Sequence, residues 1–158
     1  MKSYSRLMLA TVVLMIAAGC TDHVQTGIDA YKAKNYAVAL KELQPLADKG
    51  NAQAQVIIGA MYDNGEGVPL DYRQAVLWYQ KSAEQGNANA QYNLGMMYAN
   101  GLGVPQDMVQ ALKWFNLAAL LGADEVFVKA AKQAEGMMAP EQVKQAWAAS
   151  REWQDKHK

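Results

Sequence analysis

NAQAQVIIGAMYDNGEGVPLDYRQAVLWYQKSAEQG (residues 51–86) runs without a gap into NANAQYNLGMMYANGLGVPQDMVQALKWFNLAALLG (residues 87–122), and half of the aligned positions are identical. A unit of this length written twice is the sequence sign of a stacked repeat, so the repeat governs how every other residue is read. Each copy spells a helical hairpin. Asn51 and Asn87 precede an Ala/Gln-rich run, where a side-chain oxygen can cap a free backbone N–H. Gln55, Ile58, Gly59 and Tyr62, repeated as Gln91, Leu94, Gly95 and Tyr98, share one face of the first helix, helix A. A glycine inside a helix costs about 1 kcal/mol against alanine, so its return in both copies predicts close approach of another helix.

The tracts Asn64–Pro69 and Asn100–Pro105 are dense in residues that end a helix and serve as the turn. Helix B starts at Asp71 or Asp107, each with glutamine three residues on, as in a capping box. Ala75, Trp78, Tyr79 and Ala83, matched by Ala111, Trp114, Phe115 and Ala119, form its apolar face, and Gly86 and Gly122 are read as left-handed C′ glycines.

This pattern, with A-x-A-Q, the internal glycine, the G-x-G-V turn and the Q-A-x-x-W helix, resembles the Sel-1-like repeat, a relative of the tetratricopeptide repeat. The resemblance covers 51–122 and implies an all-α, right-handed α-solenoid of about four helical hairpins that binds other proteins, with helix A on the concave wall.

Upstream, Lys2 and Arg6 precede an uncharged run from Leu7 to Ala18, too short to span a bilayer, and residues 1–19 are read as a secretory signal peptide. Ala17-Ala18-Gly19-Cys20 resembles a bacterial lipobox, which implies lipidation of Cys20, the only cysteine. By resemblance to lipoprotein sorting, Thr21 implies an outer-membrane lipoprotein facing the periplasm. Without Lys2 and Arg6 the chain has two more acidic than basic side chains, so no electrostatic pull toward nucleic acid is expected.

Residues 20–26 are read as a tether and 27–50 as a degenerate first repeat. Its hairpin carries Val24, Ile28 and Tyr31 on one helix, turns at Lys34-Asn35, and carries Ala37, Leu40, Leu43, Leu46 and Ala47 on the next, where Pro45 predicts a kink without a break. Residues 123–158 are capping helices, the first burying Val126, Ala130 and Ala134, the second starting at Pro140 and burying Val143, Ala146, Trp147 and Ser150.

The inventory for chemistry is thin. His23 and His157 lie at opposite ends of the repeat region, no second cysteine accompanies Cys20, and the G-x-G turns lack the strand and third glycine of a nucleotide fingerprint. Asp63 and Glu66 could imitate an acid/base pair, yet the second copy has Ala99 and Leu102 there. No catalytic residue, metal or cofactor is expected. A disulfide-rich branch of the resembled family, described as β-lactam-binding or β-lactamase, offers an enzymatic alternative, but this chain lacks its cysteine pairs and any S-x-x-K motif. A peptidoglycan or polysaccharide binder, with Tyr92 as a stacking ring, is a further alternative.

The two copies differ on the other face of helix A, at Gln53, Val56, Ala60 and Asp63 against Asn89, Tyr92, Met96 and Ala99. These eight residues are the expected partner-binding groove, with Tyr92 and Met96 as apolar anchors that have no obvious core to join. Met96, Met97, Met108, Met137 and Met138 fill gaps or, on the alternative reading, form an adaptable contact surface. The expected function is a non-catalytic protein–protein interaction scaffold or adaptor of the bacterial envelope, holding a protein or peptide.

Overall fold

The computed structural model describes residues 23–122 and 124–157. All regular structure among them is helical: α1, whose described part is 23–32, α2 (Tyr36–Asp48), α3 (Ala52–Asn64), α4 (Tyr72–Ala83), α5 (Ala88–Asn100), α6 (Met108–Leu121), α7 (Glu125–Gly136) and α8 (Pro140–Lys156). Helices α2 to α7 pack in chain order, each on the next, and α8 returns onto α6. The result is an all-α solenoid, as expected. Cys20 and the leader lie outside the described residues. Residues 23–26, read as tether, are already helical.

The caps form where the residue types placed them. The Asn51 and Asn87 side-chain oxygens accept from the N–H of Ala54 at 2.9 Å and Ala90 at 3.1 Å. Asp71 accepts from the N–H of Arg73 and Gln74, and Asp107 from Val109 and Gln110. Each turn closes with the N–H of that aspartate on a helix-A carbonyl, Tyr62 or Tyr98, at 3.0 Å. Gly65 and Gly101 end their helices at φ 69° and 67°, which an L side chain tolerates poorly.

Close approach explains the helical glycines. A Cβ on Gly59 would lie 2.7 Å from Tyr79 Cδ1, and one on Gly95 would lie 2.6 Å from Phe115 Cε1. Gly27 plays the same part against Leu43, so the first repeat keeps the contact although its turn is shorter. Gly122 differs from expectation. Its φ is −105°, so left-handed geometry is not its reason; a Cβ there would meet Phe127 Cε2 at 2.5 Å.

The recurring glutamine of helix A joins successive repeats. Gln55 donates Nε2–H to Ala47 O at 3.0 Å and Gln91 does the same to Ala83 O at 3.1 Å, both in the interior. Gln85 completes the first joint by donating to Gln55 Oε1 at 2.8 Å. At the second joint the residue in register with Gln85 is Leu121, and Gln91 Oε1 has no partner.

Several faces are rotated from the sequence expectation. In α2, Ala39 is buried and Ala37 is exposed, and the helix continues through Pro45. In α7, Phe127, Ala131 and Ala134 face inward and Val126 is exposed, because Phe127 fills the space at Gly122. In α8, Ala146, Ser150 and Trp153 are buried while Trp147 stays 38% exposed. Trp153 meets Trp114 edge-on and donates its indole N–H to Glu84 at 2.8 Å, which draws α8 back toward the end of α4. His157 stacks on Trp153 with ring centroids 4.0 Å apart.

Candidate functional site on the helix-A face

The eight residues expected to line a groove occupy one side of α3 and α5, in unequal settings. Gln53 and Asn89 are exposed, and Val56 and Ala60 are half-buried against the second repeat's core. Asp63 is half-buried and accepts from Tyr79 Oη–H at 3.2 Å. Burial raises its pKa, against the lowering effect of that hydrogen bond.

Tyr92 corrects the expectation. Its ring sits between Phe115, at 5.8 Å between centroids, and Phe127, at 5.3 Å, and belongs to the last hydrophobic cluster. Because α7 turns Phe127 inward, the core that Tyr92 was expected to lack exists. It packs into that cluster and is no free anchor.

Met96 and Ala99, by contrast, come together with residues from three other segments. They line a cavity of about 230 Å³ with Met108 and Phe115 of α6, Ala134 of α7 and Met137 at its C-cap, and Gln106 of the turn before α6 also lines it. Met96 is 39% and Met137 72% exposed. Three thioethers at one opening form a soft, adaptable apolar surface, which suits the insertion of a side chain of variable shape. Gln106 donates to Ala99 O and Asn100 to Met96 O, both at 2.8 Å, so the backbone beneath the mouth is satisfied and held. Met97 is buried and serves the core. A wider depression of about 610 Å³ lies between the turns, but Asp71, Gly101, Gly103 and Pro105 there are residues the repeat needs for its own geometry. In the methionine cavity, Met96, Ala99, Gln106 and Met108 stand where the first copy has Ala60, Asp63, Leu70 and Tyr72, while Asn100 and Phe115 keep their places in the repeat.

At the other end of the face a polar knot joins the first two hairpins. Tyr31 donates to Glu66 Oε2 at 2.7 Å and Tyr36 to Oε1 at 2.8 Å. These two hydroxyls hold the Glu66 pKa below the usual carboxylate range, while burial first and then Glu66 push Tyr31 up to about 12. Glu66 is therefore a bridging acceptor between repeats. Sequence reasoning missed this because Leu102 replaces it in the second copy. The signal was the pair Tyr31 and Tyr36 flanking the first tight turn.

The histidines are both engaged, His23 with Glu42 at 2.6 Å and His157 near Glu84 at 3.5 Å. Lys113 lies over the Trp114 ring at 4.2 Å, and burial lowers its pKa.

This architecture is a solenoid of helical hairpins whose variable face carries an apolar cavity. The chain carries two Sel1 repeats: the Sel1 repeat family model matches residues 52–87 and 88–122. Among solved structures it is similar to c5321, a protective antigen present in uropathogenic Escherichia coli strains that displays an SLR fold, at 30% identity and a TM-score of 0.83 over 87% of this chain. It is also similar to a Sel1 repeat protein from Oxalobacter formigenes, at 41% identity and a TM-score of 0.59 over 62% of this chain. The chain spans 30% and 28% of those two chains. No curated protein matches it. Sel1 repeats generally mediate protein–protein interaction, and proteins built from them are generally non-catalytic scaffolds.

Proposed function

We propose that this protein is a non-catalytic adaptor of the bacterial cell envelope that holds a peptide or protein along the variable face of α3, α5 and α7. An apolar side chain of the partner inserts between Met96, Met108 and Met137. The observation that carries this reading is the cavity itself, where Met96 and Met108 stand in place of Ala60 and Tyr72 of the first copy. Gln53, Val56, Ala60, Asp63 and Asn89 flank the partner's path, and Ala99 forms the wall beside the anchor. The lone Cys20 behind a short apolar run supports lipid attachment, which would hold the face at an outer membrane, toward the periplasm.

The test is site-specific photo-crosslinking in intact cells. A photoreactive side chain at Met96 is expected to trap a discrete partner, and the same group at Leu77, which is 50% exposed on α4, is expected to trap none. Adducts from Leu77 alone would move the binding surface off helix A.

A further inference from the structure

A second cavity, of about 240 Å³, opens between α6, α7 and α8 and is separate from the methionine cavity. Its walls are mostly apolar, from Leu120 and Val128, 56% and 39% exposed, and the Trp147 ring, with Lys132 and Glu135 also in the lining. Asn116 of α6 also lines it, is only 1% exposed, and has neither amide atom hydrogen-bonded. A buried primary amide with donor and acceptor both unmet is costly, and native folds rarely leave one without a reason. The register residue of α4, Gln80, is exposed, so burial of an amide here is peculiar to the last repeat. It arises because α8 covers α6, where the buried Leu117 replaces Lys81.

We propose that this cavity is a binding site for a carboxamide carried on a compact apolar group. A carboxamide offers one acceptor and two donors in a plane, the complement of the Asn116 amide, while the apolar walls take the rest of the ligand. As the side chains stand, water does not reach either Asn116 amide atom. Entry requires the Trp147 ring to swing, and it is tied by one hydrogen bond, from its indole N–H to Glu135 at 2.8 Å. The carboxamide can come from a free small molecule or from a glutamine side chain of a protein partner. The site is independent of the helix-A face.

The probe is benzamide, titrated into the full-length protein while the side-chain amide resonances of Asn116 and the indole N–H of Trp147 are followed by NMR. Both are expected to shift saturably, with benzamide binding at least tenfold more tightly than acetophenone, which has the same shape but lacks the N–H donors. Asn116→Leu is expected to melt higher than wild type and to erase that preference. Val128→Trp, which fills the mouth without touching Asn116, is expected to block benzamide with the fold retained. Saturable shifts from the tripeptide Ac-Gly-Gln-Gly-NH₂ and none from its Glu counterpart would assign the ligand to a partner's side chain. Shifts from benzamide alone would assign it to a free molecule. Equal binding of benzamide and acetophenone, no saturable shift from any probe, or a long-lived water at Asn116 that benzamide does not displace would each overturn the proposal.

Discussion

Substitution of Gly95 by alanine tests the hairpin register on which the fold and the site both depend. The added Cβ would lie 2.6 Å from Phe115 Cε1 and 3.1 Å from the Ala111 carbonyl oxygen. Neither neighbour yields easily. Phe115 is 2% exposed and held against Tyr92, and the carbonyl belongs to the α6 backbone. Overpacking of this kind costs about 1–3 kcal/mol, while replacing an interior helical glycine returns up to about 1 kcal/mol. The net expectation is a loss of about 1 kcal/mol, or a fall in melting temperature of about 3–5 °C for a domain of this size. Gly136 supplies the control, because it closes α7 and a Cβ there would meet nothing within 4 Å. Gly136→Ala should melt slightly above wild type. Far-UV circular dichroism melts of the two variants should therefore move in opposite directions, and a Gly95→Ala protein as stable as Gly136→Ala would mean that Gly95 faces open space.

The hydrogen-bonded Glu66 has a depressed pKa in the fold, so its contribution is present above the ordinary glutamate pKa near 4.3 and is lost as pH falls through the lower folded value. The variant Tyr31→Phe with Tyr36→Phe should show a flatter loss of stability in that acid window than wild type; Asp63, raised by burial, acts with the opposite sign in both proteins and drops out of the comparison. Leu121→Gln places at the second inter-repeat joint the donor that Gln85 supplies at the first, and should raise stability by up to about 1 kcal/mol by chemical denaturation. Cys20→Ser should abolish incorporation of labelled fatty acid and release the protein from the membrane fraction; a wild-type protein that takes up no label would remove the anchor from the proposal.

The repeat made the hairpins legible, because packing glycines, caps and turn residues recur where one geometry recurs. Legibility failed where the copies end. The helix after residue 122 has no sister, so its apolar residues fit more than one face, and only Phe127 docking at Gly122 selects the observed rotation. That rotation gave Tyr92 a core, which no pattern within 87–122 could show. The return of α8 over α6 is written in one difference between the two B helices, where Lys81 becomes Leu117, buried in the cluster that Trp153 of α8 joins. The A helices, whose differences mark the variable face, carry no trace of it. Met96 and Ala99 were placed on that face by spacing alone, but their cavity needs Met108 and Met137, brought in from elements whose positions depend on tertiary packing.

The central claim is that a partner anchors between the methionines of the helix-A face. Its most direct test is calorimetric titration of the partner trapped through position 96 against the variant Met96→Ala with Met137→Ala. Both side chains are exposed enough that the melting temperature should hold, while loss of the anchor contact should weaken binding by about 2 kcal/mol, roughly thirtyfold. An unchanged affinity in a variant that melts like wild type would contradict the claim.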